Sequence, residues 1–312
     1  MPAERAKGMV PDNNRGDRSE GKVCSLWRDV WERLKQNKAA IAGLFLVAVI
    51  TLAAVFAPLI TKYDPGEQLV WTQGPDAQLV PPGTDHWFGT DIYGRDIYSR
   101  VVYGARVSLQ IGVASTIISV VIGVILGAMA GYYGGLVDDI ISWLTNVIFA
   151  FPFLLFVLAL VAYLPPGLPL MYAAIGIVNW AGVARIVRGQ VLSAREKEYV
   201  EAATVVGGSD VRVIVKHILP NILAPVIVQA TLGMGSIIML ESSLSFLGFG
   251  IQPPTPSWGY EIDQGRQYLL AGAWWWSAFP GFAIMALVLG FNLLGDGLRD
   301  ALDPKQNVGE GR

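Results

Sequence analysis

The side chains equipped for chemistry are few and scattered. The chain has two histidines, His86 and His217, and one cysteine, Cys24. A nucleophile needs a base within reach, and a metal needs clustered ligands. No H-E-x-x-H, G-x-S-x-G or C-x-x-C occurs. The stretch 86–109, HWFGTDIYGRDIYSRVVYGARVSL, concentrates Asp, Arg, Ser and Tyr, yet it pairs no nucleophile with a base; helix caps and interfacial ion pairs are its expected use. Gly16 and Gly21-Lys22 have the spacing of a phosphate-binding loop. However, Val23 stands where the magnesium-holding Ser or Thr belongs, and no apolar strand precedes the motif. No catalytic residue, metal ligand or cofactor of its own is therefore expected.

One carboxylate is out of place. Glu241, in MLESSLSFLGFG, directly follows an apolar run, and a charge at the middle of a membrane helix costs about 2.5–3.5 kcal/mol on insertion scales. Such a group faces a cavity or a partner, so Glu241 is the leading candidate for a substrate pathway, with Ser243, Gln229 and Asn179 behind it. The competing use of Glu241 is pairing with an Arg or a helix end; that of Asn179 and Gln229 is bonding between helices.

The elements that must position these groups are membrane spans. The 312 residues are 53% hydrophobic and 15% charged, with a net charge of −2 and mean hydropathy of +0.46. There is no basic footprint for nucleic acid. Six stretches lack Asp, Glu, Lys and Arg: 39–60, 107–130, 141–164, 170–184, 222–240 and 278–294. A helix crossing the hydrocarbon needs about 17–25 such residues. The fourth is short and must recruit neighbours to about residue 187, with Arg185 and Arg188 snorkelling toward headgroups. The sixth is taken to residue 298. The first run begins at residue 39 and is longer than the apolar part of a cleaved signal, which is about 7–15 residues, so it is expected to stay as an anchor.

Positive charge is retained on the cytoplasmic side. With the N-terminus inside, 18 of the 23 Lys and Arg fall in inner segments, leaving Lys62, Arg95, Arg100, Arg106 and Arg266 outside. Both termini are thus expected in the cytoplasm, where Cys24 stays reduced and unpaired. Residues 1–24 have the composition of a disordered tail, and 300–312 form a second tail. Residues 25–38, SLWRDVWERLKQNK, place Leu26, Trp27, Val30, Trp31 and Leu34 on one face, as in a helix lying in the inner interface. An outer loop spans 61–106 and contains a short helix; the third outer loop spans 241–277, where Trp258 and Trp274–Trp276 suit an aromatic belt.

The stretch 188–221 is the polar interlude. In EYVEAATVVGGSDVRVIVKHILPN, residues 198–221, Tyr199, Ala202, Ala203 and Val206 share a helical face, and Val211, Ile214, Val215 and Ile218 share another. Gly207 and Gly208 end the first helix and turn the chain, Ser209 and Asp210 cap the second, and Leu219-Pro220 stops it, Pro220 opening the next span. Helices this short are unstable alone and need a partner surface.

Glu201-Ala202-Ala203, Gly207 and the closing Leu219-Pro220 resemble the EAA loop of permease subunits of ATP-binding cassette importers, with His217 in place of the usual isoleucine. FGTDIYGRDIYSRVVYGARVSL, LSFLGFGIQPPTPSWG and FNLLGDGLRDALDPK are similar to the branch serving dipeptides, oligopeptides and nickel; the resemblance runs from about residue 25 to 305. It implies an all-α membrane protein of six transmembrane helices with the type I importer (MetI-like) permease fold, in a bacterial inner membrane. It also implies a homologous second permease, two cytosolic ATPases that bind ATP and magnesium, and an extracytoplasmic binding protein. Tyr199, Glu201, Ala202, Ala203, Gly207, Gly208, Ser209, Asp210, Leu219 and Pro220 would then form the ATPase-coupling element. Whether the solute is a dipeptide, a longer peptide or nickel stays open at this point. A stand-alone channel or carrier is the rival reading.

Overall fold

The structure is a computed structural model that describes residues 30–165 and 167–302. The tail 1–24, with its Gly16–Lys22 motif and Cys24, lies outside the described residues, as do 25–29 of the interfacial helix and 303–312 of the second tail.

The described chain is helical, and its one β-bridge is an isolated Thr90–Asp96 pair. Helix α1 covers residues 30–36. It is followed by α2 (Lys38–Val55), α3 (Ala57–Ile60), α4 (Val70–Gln73), α5 (Ile97–Tyr133), α6 (Gly135–Ala150), α7 (Phe153–Tyr163) and α8 (Leu168–Arg195). Then come α9 (Glu198–Val205), α10 (Asp210–Val213), a π turn (Ile214–Ile218), α11 (Leu219–Phe246), α12 (Trp258–Arg266) and α13 (Trp275–Leu302). Five helices are long and apolar enough to cross a membrane, and α6 and α7, bent by 89° at the break between them, make a sixth if the pair is counted as one span.

Local chemistry sets the ends. Asn37 caps α2, its Oδ1 accepting from the Ala39 and Ala40 amides at 3.0 and 3.1 Å. Asp96 caps α5, accepting from the Ser99 amide at 2.8 Å. Each cap satisfies amides that have no partner in the first turn.

In lipid, helices gain little from hiding apolar surface and associate through close packing. The seam of α5 with α8 shows this. Gly123, Gly127 and Gly131 recur every fourth residue, and a methyl on Gly127 would lie 2.5 Å from the Ala184 carbonyl and 2.9 Å from Val187 Cβ. Along the same seam the Ser119 hydroxyl donates to the Ser115 carbonyl at 2.8 Å and the Gly176 carbonyl at 3.0 Å. Helix α2 crosses α13 where Gly43 meets Gly290 and Ala40 meets Gly297. Helix α11 meets α13 where Leu232 lies against Gly295.

Two findings depart from the sequence reading. The second short helix does not stop at Leu219-Pro220: Asp210–Phe246 is one continuous helix of 37 residues. Pro220 has no amide and crowds the carbonyl four residues back. The π turn widens the helix there, so that the Leu219 amide bonds to the Ile214 carbonyl, five residues back. Secondly, Arg185 and Arg188, expected only to reach toward headgroups, are held by side chains of α6. Arg188 grips Asp138 on α6 with two nitrogens, one at 2.6 Å, and Arg185 donates to Asn146 Oδ1 at 2.9 Å. A bidentate carboxylate partner within reach outweighs extension toward distant headgroups.

Candidate functional site

The helix pair at 198–218 is built on the ends of α5 and α8. The Arg195 guanidinium donates to the Tyr132 carbonyl at 2.8 Å, and the Tyr132 hydroxyl donates to Asp210 Oδ1 at 3.1 Å. Asp210 is thus tied to α5, while Ser209 occupies the cap position of α10 without a side-chain cap bond. That corrects the expected capping role of Ser209.

The turn between α9 and α10 needs both glycines. Gly207 has φ +85°, the left-handed region that costs other residues about 1–2 kcal/mol. Its amide bonds to the Thr204 carbonyl at 2.9 Å, and that of Gly208 to the Ala203 carbonyl at 3.1 Å, the paired pattern that closes a helix C-terminus. At Gly208 the limit is space, because a methyl would lie 2.7 Å from the Ala203 carbonyl.

The two faces named from the spacing divide between the bundle and the exterior. Val200, Val213 and Ile218 are buried against Ala128, Val187, Val191 and Ala194, with Ala203 and Ile214 partly covered beside them. Tyr199, Ala202, Val206, Val211 and Val215 of those faces point outward, and Val205 joins them. Val205 and Val206 are 80% and 88% exposed, and Val211 66%. The sequence reading missed Val200 and Val213, whose signal was present as branched residues flanking the charged positions. The result is a helix pair apolar on both sides, one seated on the bundle and one bare. Glu201 is exposed beside the bare side, and Leu219 and Pro220 continue into α11.

At the other end of α11 the pathway candidates separate. Glu241 is fully buried within this chain. Ser245, Ser257, Ser108 and Ser242 place hydroxyls 2.8, 3.1, 3.3 and 3.4 Å from its oxygens. A carboxylate offers about four acceptor positions, and four hydroxyls from α5, α11 and the N-cap of α12 meet them. Asn179 and Gln229 are half-buried and, among the described residues, make no hydrogen bond to a neighbouring helix. The half-buried Ser243 donates to its own helix, to the Met239 carbonyl at 2.8 Å.

Around this end lies a second polar knot. Arg100 and Glu261 form an ion pair with both side chains at 0% exposure, separated by 2.6 Å, and the Trp276 indole donates to Glu261 at 2.8 Å. The Trp258 indole donates to the Val101 carbonyl at 2.8 Å, and that of Trp275 to the Thr90 carbonyl at 3.1 Å. Three of the four tryptophans expected in a belt are therefore internal, their N–H groups used to close the cap, and only Trp274 is exposed. Asp91 pairs with Arg95; burial pushes the Asp91 carboxyl up, against the downward pull of that guanidinium. Asp96 pairs with His86 at 2.9 Å. These pairs hold the loop before α5 against α5, α12 and the start of α13.

Comparison with known proteins covers nearly the whole chain. Residues 25–82 match the N-terminal TM domain of oligopeptide transport permease C. A dipeptide transport system permease protein of Alkalihalophilus pseudofirmus is 46% identical over 98% of this chain and 99% of its own length. One from Bacillus subtilis is 44% identical over 94% and 90%, and an oligopeptide transport system permease protein of Escherichia coli is 42% identical over 94% and 95%. Residues 123–308 match the binding-protein-dependent transport system inner membrane component, and with relatives of this identity along nearly its full length the chain belongs to that family.

Proposed function

We propose that this chain is one of two permeases of an ATP-driven importer of peptides and that α9 with α10 is its handle for a cytosolic ATPase. The observation that carries the reading is the bare apolar side of that pair, Tyr199, Ala202, Val205, Val206, Val211 and Val215, held rigidly on the ends of α5 and α8. An apolar projection in water needs a cover, and a groove on an ATPase provides one. The distribution of Lys and Arg supports placing this end and both termini in the cytoplasm.

Among the described residues no group of side chains could hold a metal ion, and in this reading ATP and magnesium belong to two ATPase subunits. A binding protein outside the membrane delivers the solute to the α12 end. The relatives named above for dipeptides and oligopeptides support peptides over nickel. Tyr199, Glu201, Ala202, Ala203, Gly207, Gly208, Ser209, Asp210, Leu219 and Pro220 form the coupling element. Within it Ala203 and Gly208 seat the pair, and Tyr199 and Ala202 face the partner.

The test is peptide-stimulated ATP hydrolysis by the complete reconstituted complex. Ala202→Trp adds bulk on the bare side without touching the core, and Gly207→Val strains the turn by about 1–2 kcal/mol. Both are expected to insert normally and to lose stimulation. Full stimulation in both variants would refute the coupling role.

A further inference from the structure

The bend between α6 and α7 leaves backbone unpaired at the depth of the membrane. The Phe151 amide reaches the Ile148 carbonyl at 3.4 Å, and the next backbone bond is from the Phe156 amide to the Pro152 carbonyl at 3.0 Å. Between them, the amides of Phe153, Leu154 and Leu155 and the carbonyls of Phe149, Ala150 and Phe151 have no hydrogen bond among the described residues. Pro152 has no amide to contribute.

The depth follows from packing. Ile148 touches both the cluster around Met171, Ile175 and Val178 and the one around Trp180, Ala181 and Ala184. The break therefore lies beside the middle of α8. It is open as well: Phe149 is 48% exposed, Phe151 53% and Leu155 59%.

Hydrocarbon cannot satisfy such groups, and irregular backbone persists at membrane depth only where protein buries it or water reaches it. The helices of a second permease already spend their amides internally, so they cannot serve all six. A second observation points the same way. Arg185 is exposed on this face, stacked 4.2 Å over the Phe149 ring, and an exposed guanidinium beside the break disfavours lipid.

We infer that residues 149–155, with Arg185, line the water-filled route of the peptide, and that the free carbonyls and amides of the break meet the amide groups of the passing solute. This rests on the reading of the chain as half of a peptide permease. A peptide backbone offers donors and acceptors in the proportion the break lacks, independently of its side chains.

The test uses the full complex in membrane vesicles, with Cys24→Ser as background. Ala150→Cys and Phe151→Cys are treated with a membrane-impermeant maleimide, nucleotide-free and ATP-trapped, alongside Phe45→Cys on the apolar α2. Labelling at 150 and 151 at least tenfold faster than at 45 in one of the two states is the expected result. Rates no faster than at 45 in both states overturn the inference, whether lipid or protein covers the break. Peptide-stimulated hydrolysis in the background complex is measured in parallel; its presence without labelling sinks this inference alone, and its absence sinks the peptide-permease reading.

Discussion

Arg100 and Glu261 show how this chain handles charge. Neither has water, so each depends on the other, with the Trp276 indole and the Pro65 carbonyl taking remaining positions. Removing one partner of such a pair costs about 3–5 kcal/mol because the other charge stays buried. Glu261→Ala is expected to lower the thermal stability of the detergent-solubilised complex by an amount in that range, and Glu261→Ala with Arg100→Met to recover most of it. A double variant as unstable as the single one would contradict this account. Glu241 is a different case, a carboxylate without a cation that is held by four hydroxyls. Its residue type announced a special position in the sequence, but the serines that decide its role come from 108, 242, 245 and 257, and pairing across that distance is not written in any local pattern.

Among the elements, the α5–α8 seam is the one most dependent on small side chains. Gly127→Leu would drive a side chain into the Ala184 carbonyl and Val187, and overpacking of this kind costs about 1–3 kcal/mol or more. The expected outcome is reduced assembly of the permease pair, read by co-purification, while Gly182→Leu, where a methyl meets nothing within 4 Å, assembles normally. Equal yields from the two would count against close packing as the force holding this seam. Such spans were legible as apolar runs because hydrocarbon selects composition. Their true lengths were not, since α5 runs from Ile97 to Tyr133 and α8 to Arg195, each carrying charged residues that packing shelters. Faces within the helix pair were harder still. Tyr199, Ala202 and Val206 gave a clean helical spacing, but periodicity does not say whether a face meets its own bundle or another protein.

For the whole molecule, composition and motif placed the chain in its family, and the comparisons agree along nearly its full length. The bend at Phe151-Pro152 turns the chain by 89° inside an uncharged run; its signal, Pro152, stands in the sequence, but the run reads as one span because hydropathy does not register a break. A second hidden feature is the continuity of Asp210–Phe246 through the π turn. Inserting Gly-Gly between Lys216 and His217 would interrupt that continuity. ATP hydrolysis is then expected to persist while peptide uptake into vesicles is lost; uptake at the unmodified rate would exclude the helix as the transmitting part.

That helix is on the order of 55 Å long at 1.5 Å per residue, and it lies against α13 near its middle, where Leu232 meets Gly295. Its ends are anchored as well, Val213 and Ile218 among residues of α5 and α8 and Ile238 and Glu241 against α5. A push on the Val211 tip would therefore not tilt this rod alone: it would be shared by the neighbours that clasp it, so that a load applied in the water on one side arrives as a displacement of the whole cluster around Glu241.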